Sequence, residues 1–372
     1  RPGRLVARHD SGTGPLSGTP FTLACEAATY AAVAGAGVPV PAVVAVAPDG
    51  RAFAVDEVPG TTDARGEAID DYLRLLGTLH ASGTAHVPSG HDGFDAAGTD
   101  DLAIWSRIAA ERIARPAPIV ARALRCLYEH GNDARRPAGV VLCHGDAGFG
   151  NYLHESGRVS GLVDWEMAHT GDPHDDLASV AVRAALTRSP LDHYRERIEA
   201  NWEPASGLRF DERRYGVAVV AVLTRMVISC LAALDNPGAE SDRTTQLMGL
   251  PVMEVLLVRA IAALDGVQLP SPSSASPDAA FVREMAELVI EGLPDAGAPG
   301  GAASRRRYLA AQLVDVLRSA ETAPGPGAMA STPVELDVLW QRAHDRLAAV
   351  PASRRLADAP IAGLRVDGRT PC

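Results

Sequence analysis

Three polar residues near the middle of the chain have the types and the spacing that phosphoryl transfer requires. Asp146 follows an apolar run and the pair His144-Gly145, Asn151 comes five residues later, and Asp164 ends a further apolar run. An aspartate can orient an attacking hydroxyl group and accept its proton, while amide and carboxylate oxygens can hold Mg²⁺ beside substrate phosphates. We therefore predict Asp146 as a catalytic base and Asn151 and Asp164 as metal ligands.

The elements that must position these residues are a buried strand before Asp146 and a hairpin after it. The hairpin has strands at residues 151–154 and 159–164, joined by a two-residue turn that begins at Gly157. This register places Asn151 opposite Asp164, and cross-strand neighbours lie roughly 4.5–5.5 Å apart at Cβ. Any one of the polar residues could simply be solvated or cap a helix, but the set and its register favour a common site.

Composition limits the classes of protein to which this chain of 372 residues can belong. Its hydrophobic content of 47% and charged content of 22% are those of a globular protein. The net charge of −11 predicts no broad basic surface, and therefore no nucleic-acid or anionic-membrane partner. No lysine occurs in the sequence, so chemistry that needs a lysine amine is excluded.

The cysteines and the longest apolar run bear on location. The five cysteines are scattered without the spacing of a zinc or redox motif, which predicts reduced thiols and a cytoplasmic protein. The apolar run at residues 217–234 is interrupted by Arg225, so it predicts a buried helix and no membrane span.

The order of elements predicts an α+β protein with a helical tail. Residues 1–60 have the pattern strand, helix, strand, strand, and residues 61–268 combine helices with the compact β segment around Asp146. Residues 269–277 are a linker by their Pro and Ser content, and residues 278–372 predict a separate small helical unit. The helices predicted in that unit cover residues 279–293, 304–321 and 333–349.

The motif H-G-D-x-x-x-x-N, from His144 to Asn151, and the D-W-E that begins at Asp164 are similar to two segments of the aminoglycoside and choline phosphotransferase family. Those segments are its catalytic loop and its metal-binding segment, and G-D-P-x-x-D-L from Gly171 also resembles that family. The resemblance covers about residues 4–264. It implies a two-lobed protein-kinase-like fold, with a small β-rich lobe and a larger helical lobe. The longer string most resembles the branch related to the kinase-like domain fused to some acyl-CoA dehydrogenases.

The resemblance also implies a nucleotide site in the small lobe. Arg8 takes the place of the phosphate-binding lysine, and Glu26 matches the glutamate that pairs with that cation. Backbone groups near Glu57 and Val58 match the hinge that holds adenine. An arginine on an exposed strand end is the competing interpretation of Arg8. The family's glycine-rich loop is expected ahead of Arg1, so the small lobe is expected to be incomplete in this sequence.

Further polar residues around the motif are expected to have supporting roles. Glu166 could assist the metal, directly or through water, and a solvent-facing structural role is an equal alternative. His144 is expected to buttress the loop. Asp172 and Asp176 are expected to tie the loop down through backbone amides.

The expected activity is therefore an ATP- and Mg²⁺-dependent kinase that acts on a hydroxyl group of a small molecule. The dehydrogenase-associated branch points to a hydroxyacyl compound or an acyl-CoA ester as the acceptor, in preference to an aminoglycoside. The main alternative is a nucleotide-binding pseudokinase or regulatory module without turnover. A metal hydrolase that uses His144 and Asp146 is a weaker alternative, since further ligands are lacking.

Overall fold

The computed structural model describes residues 4–10, 16, 18–63, 65–88, 101–134, 139–236, 243–272, 278–291, 335–348, 350 and 354–364. Within these residues the chain has the predicted α+β class. A small antiparallel sheet with one helix is followed by a larger, mainly helical part.

The small lobe consists of a three-stranded antiparallel sheet and one helix. Its elements are β1 (Leu5–His9), α1 (Leu23–Val33), β2 (Val43–Val46) and β3 (Ala52–Asp56), with the strands in the order β1-β3-β2. Thr22 caps α1 by accepting a hydrogen bond from the Cys25 N–H at 3.2 Å. Tyr30 of α1 packs against Phe53 of β3, with ring centroids 5.9 Å apart. The predicted order of strand, helix, strand, strand is confirmed.

Short strands form the segment that carries the predicted site. They are β4 (Thr61–Thr62), β5 (Val141–Cys143), β6 (Tyr152–Glu155), β7 (Arg158–Leu162) and β8 (His169–Gly171). β6 pairs with both β4 and β7, and β5 pairs with β8 so that Cys143 lies opposite His169. The stretch that leads into Asp146 is therefore joined directly to the stretch that follows Asp164.

The turn of the β6–β7 hairpin lies one residue earlier than predicted. Ser156 and Gly157 are its central residues, with φ of 49° and 76°, and Glu155 pairs with Arg158. Two left-handed central residues are the mark of a type I′ turn, whose twist matches that of the flanking strands. Ser156 therefore adopts a left-handed conformation that usually favours glycine, asparagine or aspartate.

A bulge in β7 changes the register a second time. Ser160 lies between the paired residues of β7 without a partner of its own on β6. As a result the Val163 N–H donates to the Asn151 carbonyl oxygen at 3.0 Å. The predicted pairing of Asn151 with Asp164 is wrong by one residue, because Val163 takes that place and Asp164 follows it.

Helices form the large lobe, and they bury most of the core. They are α2 (Ile69–Ala81), α3 (Asp101–Arg112), α4 (Pro118–Ala134), α5 (His174–Thr187), α6 (Tyr194–Arg197), α7 (Glu203–Ser206), α8 (Glu212–Asp235) and α9 (Arg243–Asp265). A π-helical turn, Ile198–Trp202, joins α6 to α7. The apolar stripe of α2 is buried, and Leu73, Leu76 and Leu79 are fully inaccessible.

α8 and α9 are long and apolar enough to cross a membrane by length and composition alone. However, 78% of the apolar window of α8 and 72% of that of α9 are buried inside the protein. Arg225, within α8, is 3% exposed and donates to Asp101 at 2.7 Å and to Asp175 at 3.1 Å. The buried helix predicted at residues 217–234 is therefore confirmed.

The described part of the tail packs against α9. It contains α10 (Ala279–Glu291), α11 (Leu336–Ala348) and α12 (Arg354–Ala357). Phe281 and Leu339 belong to the same hydrophobic cluster as Leu257 of α9, and Arg346 donates to Glu254 at 2.6 Å. The helices predicted at 279–293 and 333–349 are confirmed, and the one predicted at 304–321 lies outside the described residues. The domain limits, including the linker at 269–277, stay a prediction.

Four of the five cysteines are described, and all four are buried free thiols. They are Cys25, Cys126, Cys143 and Cys230. Burial raises the pKa of Cys25 to about 12 and that of Cys126 to about 12, so these two thiols stay protonated near neutral pH. The prediction of reduced thiols is confirmed for these four residues.

Candidate active site

The loop that carries Asp146 is anchored by a buried carboxylate from α5. Asp176 accepts hydrogen bonds from the His144 N–H at 2.8 Å and the Gly145 N–H at 2.9 Å. His80 Nε2 lies 3.0 Å from the same carboxylate, and it must be the donor because His80 Nδ1 accepts the Trp202 indole N–H at 2.9 Å. Burial alone would raise the pKa of Asp176, but the bonds from His80 and His144 lower it. The predicted anchoring role of Asp176 is confirmed.

Gly145 and His144 join this loop to the segment that contains Asp164. Gly145 has φ of +83°, and a Cβ atom there would lie 1.9 Å from the Met167 carbonyl oxygen, so only glycine fits. His144 Nε2 bonds to the Val163 carbonyl oxygen at 2.9 Å, and its ring packs on Trp165 at 4.5 Å. His144 therefore buttresses the loop, as predicted.

Asp172 fastens the start of α5 in a similar way. Its carboxylate accepts the His174 N–H at 2.9 Å and the Arg214 Nε–H at 2.7 Å. Burial opposes ionisation, but the His174 side chain and Arg214 hold the pKa of Asp172 at about 2. The expected bond from Asp172 to a backbone amide is present, and it fixes the helix that presents Asp176.

The structure brings Asp146 and Asn151 into direct contact. Asn151 Nδ2 donates both to the Asp146 carbonyl oxygen and to Asp146 Oδ2, each at 2.7 Å. Since both partners are acceptors, the amide orientation is fixed and Asn151 Oδ1 points away from Asp146. A carbonyl-type oxygen is the atom that a magnesium ligand must present.

Arg183 of α5 is a further member of this site, and sequence reasoning missed it. Its Nη1 donates to both carboxylate oxygens of Asp146 at 2.8 Å, and its Nη2 lies 3.4 Å from Asn151 Oδ1. The signal that could have revealed a large neighbour is the pair Gly148 and Gly150, whose missing side chains leave room beside the loop.

Arg8, Glu26 and Asp164 form a second cluster next to the first. Arg8 Nη1 lies 2.6 Å from Glu26 Oε1 and 2.6 Å from Asp164 Oδ1, and Arg8 Nη2 lies 2.9 Å from Glu166 Oε2. The pairing of Arg8 with Glu26 has the expected geometry. Asp164 has φ of 68°, and its N–H donates to the Tyr30 hydroxyl at 2.9 Å.

Three carboxylates around one guanidinium leave an excess of negative charge. Burial, opposed by Arg8 and reinforced by Asp164 and Glu166, raises the pKa of Glu26 to about 8. Burial and then Asp164 raise the pKa of Glu166, and Asp146 adds to the shift. The two clusters are joined through Val163, the residue before Asp164, whose N–H donates to the Asn151 carbonyl oxygen at 3.0 Å and whose carbonyl oxygen lies 2.9 Å from His144 Nε2. The buried Glu26 Oε2 has no hydrogen-bond partner within the described part of the chain. This donor set fits a divalent cation such as Mg²⁺.

The predicted hinge lies at the end of β3. The Glu57 N–H donates to the Arg4 carbonyl oxygen at 2.8 Å, which continues the pairing of β3 with β1. The Val58 side chain packs on Gly161 of β7, where a Cβ atom would lie 2.9 Å from Val58 Cγ1. The Glu57 amide is therefore already used within the sheet. Adenine binding by backbone groups at Glu57 and Val58 stays a prediction.

Three other groups of described side chains have the geometry of metal ligands, but each is satisfied by protein partners. Asp176 is bonded to N–H groups, Asp265 is paired with Arg122, and Asp101 and Asp175 are both paired with Arg225. The groups are His80–Cys143–Asp176, Cys126–His130–Asp265 and Asp101–His169–Asp175. Asp164 and Glu166 are likewise paired, with Arg8, so the metal site predicted at Asn151 and Asp164 stays a prediction.

The small sheet with its helix, the helical lobe and the loop between them define a protein-kinase-like fold. Residues 2–216, more than half of the chain, match the Phosphotransferase enzyme family, APH. The chain belongs to this family, and its class is that of the small-molecule phosphotransferases.

Solved structures share the fold at low sequence identity. A choline/ethanolamine kinase family protein from Mesorhizobium loti is 20% identical with a TM-score of 0.50, and the match covers 71% of this chain and 87% of that one. Choline kinase from Streptococcus pneumoniae is 13% identical with a TM-score of 0.52, and the coverage is again 71% and 87%. These similarities concern the fold alone. No curated protein matches the sequence significantly, and the dehydrogenase-associated branch stays a prediction.

Proposed function

We propose that this protein transfers the γ-phosphoryl group of ATP to a hydroxyl group of a small molecule. The hydroxyl oxygen bonds to the γ-phosphorus, the bond from that phosphorus to the β–γ bridging oxygen breaks, and ADP leaves. The Asp146 carboxylate accepts the hydroxyl proton. The contact of Asp146 with Asn151, whose carbonyl oxygen accepts the N–H of Val163 next to Asp164, is the observation that carries this proposal.

The Asn151 amide oxygen and the Asp164 carboxylate would hold Mg²⁺, and the Glu166 carboxylate would be a further oxygen donor. When bound, the ion neutralises charge on the nucleotide phosphates. The chain's own residues then have separate tasks. Asp146 orients the acceptor and takes its proton, and Glu26 holds Arg8 near the phosphates.

Arg8 has to exchange partners for this chemistry. In the structure its guanidinium bonds to Asp164 and Glu166 as well as to Glu26. Guanidinium groups bind phosphate oxygens with the same paired geometry that they use for carboxylates. We therefore expect Arg8 to keep Glu26 and to exchange Asp164 and Glu166 for nucleotide phosphates, which frees both carboxylates for the ion. The adenine would lie against backbone groups of Glu57 and Val58.

The acceptor is proposed to be a neutral or anionic hydroxyl compound, such as a hydroxyacyl compound or an acyl-CoA ester. The charged side chain in direct contact with the Asp146 carboxylate is cationic, since Arg183 lies 2.8 Å from both of its oxygens. An aminoglycoside, with several ammonium groups, would meet that guanidinium at the point of transfer. This favours the acyl acceptor over the antibiotic.

A nucleotide-binding module without turnover is the second candidate. The observation in its favour is that both key carboxylates are already paired with arginines, Asp146 with Arg183 and Asp164 with Arg8. A pseudokinase would keep these pairs closed when ATP binds.

The test is transfer of labelled γ-phosphate to a panel of hydroxylated compounds, which includes hydroxyacyl-CoA esters, choline and aminoglycosides. The wild-type protein is compared with Asp146→Asn at equal Mg²⁺ and ATP concentrations. We expect incorporation into one acceptor class and a loss of about 100-fold or more in the variant. Equal signals from the two proteins would favour the module without turnover.

A further inference from the structure

Arg183 uses its whole guanidinium group on the catalytic loop. Nη1 donates to Asp146 Oδ1 and Oδ2 at 2.8 Å each, and Nη2 and Nε lie 3.1 and 3.3 Å from the Phe149 carbonyl oxygen. Nη2 also lies 3.4 Å from Asn151 Oδ1. One side chain from α5 therefore contacts the proposed base, the proposed metal ligand and the backbone between them.

The loop is built around this side chain. Gly148 has φ of +144°, and a Cβ atom there would lie 2.9 Å from Arg183 Cδ and 3.1 Å from Arg183 Cβ. Gly150 has φ of +101°, and a Cβ atom there would lie 3.3 Å from Arg183 Nη2. The two glycines leave space on the face of the loop that the arginine covers. The Arg183 side chain therefore packs on the loop from Asp146 to Asn151 and fills the space that the two glycines leave.

The contacts leave the two carboxylate oxygens of Asp146 in different states. Oδ2 accepts from Asn151 Nδ2 at 2.7 Å and from Arg183 Nη1, whereas Oδ1 accepts from Arg183 alone among the described partners. Each carboxylate oxygen has about two acceptor sites. Oδ1 therefore retains one site for an incoming hydroxyl group.

We infer that Arg183 is a positioning residue that turns the Asp146 carboxylate so that Oδ1 receives the proton of the acceptor. This role rests on the proposed phosphotransfer, and Arg183 acts through Asp146. Lysine cannot replace it, since a single ammonium group at the end of a flexible stem cannot hold Asp146, Phe149 and Asn151 in one plane. The fork of the guanidinium group matches that requirement.

The experiment measures Mg²⁺-ATP hydrolysis, with water in place of the acceptor, for the whole 372-residue chain. The variants are Arg183→Ala, Arg183→Lys, Asp146→Asn and the double variant Arg183→Ala/Asp146→Asn. Arg197→Ala is the matched control, because Arg197 forms a surface pair with Asp70 at 2.6 Å. Arg183→Lys is the milder replacement, and it keeps the test valid should the alanine variant be unstable.

We expect both Arg183 variants to lose about 10- to 100-fold in kcat with KM for ATP within about threefold of wild type, because the base is misplaced while nucleotide binding persists. In the Asp146→Asn background, Arg183→Ala should change kcat by less than about twofold, since the residue it acts through is already gone. Arg197→Ala should equal wild type.

Two results overturn this role while the phosphotransfer stands. One is an Arg183→Ala variant with wild-type kcat. The other is a double variant whose loss in kcat equals the product of the losses of the two single variants. A different result concerns the function itself. Wild-type hydrolysis that is indifferent to Asp146→Asn would refute the proposed phosphotransfer and the positioning role together.

Discussion

Replacement of Asp176 by asparagine removes one charge from the anchor of the catalytic loop and keeps the size of the side chain. Asp176 is fully buried, and its two oxygens accept three hydrogen bonds, from His80, His144 and Gly145. An asparagine has only one oxygen. Whichever way its amide turns, at least one N–H donor of the loop or of His80 meets another N–H group.

The expected cost follows from these contacts. The less damaging orientation keeps the oxygen beside His80 and His144 and points the amide nitrogen at the Gly145 N–H. A buried donor without a partner costs about 1–3 kcal/mol, and the two retained bonds weaken because their acceptor is no longer charged. We expect Asp176→Asn to lower the free energy of unfolding by about 2–4 kcal/mol.

Urea unfolding of the wild type, Asp176→Asn and Asp70→Asn measures this difference. Asp70 is the matched control, because its carboxylate pairs with Arg197 at the surface and an exposed pair contributes less than about 1 kcal/mol. Displacement of the loop should also lower kcat for ATP hydrolysis by about tenfold or more. An Asp176→Asn protein as stable and as active as the control would refute the view that this carboxylate holds the loop.

Gly148→Ala should displace Arg183 from the loop and lower kcat for ATP hydrolysis about 10- to 100-fold. Gly139 also has a positive φ, of +98°, but a Cβ atom there would have no neighbour within 4 Å, so Gly139→Ala should leave kcat unchanged. Both ring nitrogens of His169 face acceptors, the Met167 carbonyl oxygen and Asp175. Burial lowers the pKa of His169, but Asp101 and Asp175 outweigh it and raise that pKa to about 9. The stability from its charged form is complete below pH about 6.5 and is lost as the pH rises through about 9, so thermal unfolding should show a decline over that range that is absent in His169→Gln. Arg8→Lys keeps one charge but cannot reproduce the contacts of both Nη atoms, so KM for ATP should rise about three- to tenfold.

Each of these expectations has a result that would contradict it. Equal kcat values for Gly148→Ala and Gly139→Ala would mean that Arg183 tolerates displacement. Parallel pH profiles of thermal unfolding for the wild type and His169→Gln would mean that deprotonation of His169 does not cause the decline in stability. An unchanged KM in Arg8→Lys would mean that one positive charge is sufficient and that the contacts of both Nη atoms do not matter for ATP binding.

The parts of the site that lie within one continuous motif could be predicted from the sequence. His144, Asp146 and Asn151 occur within a single loop, so the spacing alone limits how far apart they can lie. In the structure Asn151 Nδ2 lies 2.7 Å from two oxygens of Asp146, so the two residues are in direct contact. The buried stripe of α2 and the apolar core of α8 were equally predictable, because a helix repeats its buried face every three to four residues.

The hairpin register could not be derived in the same way. Ser156-Gly157 and Gly157-Arg158 both fit a two-residue turn, and the choice depends on whether a serine adopts a left-handed conformation. Gly161, beside Ser160, is a composition signal for a bulge, but it does not tell which residue of the strand loses its partner. Moving the turn one residue earlier shifts the pairing by two residues, and the bulge shifts it back by one, so Val163 and not Asp164 faces Asn151.

Arg183 lay beyond the reach of the pattern for a different reason. It is 37 residues from Asp146, and nothing in the helical pattern of α5 distinguishes an arginine that faces the loop from one that faces solvent. Its position depends on how α5 docks, which Asp172 and Asp176 fix through tertiary contacts. The contact of Arg8 with Glu166 is of the same kind, since it requires the two lobes to be in place.

Calorimetric titration of ATP, with Mg²⁺ and with EDTA in its place, tests the central claim without knowledge of the acceptor. The claim is that the carboxylate cluster at Asp164 holds the metal-bound nucleotide beside Asp146. We expect Mg²⁺ to strengthen ATP binding by the wild type and by Asp146→Asn alike, and Asp164→Asn to lose at least about tenfold of that affinity, or about 1.4 kcal/mol. Binding that ignores Mg²⁺, or an Asp164→Asn protein that binds Mg²⁺-ATP as tightly as the wild type, would contradict it.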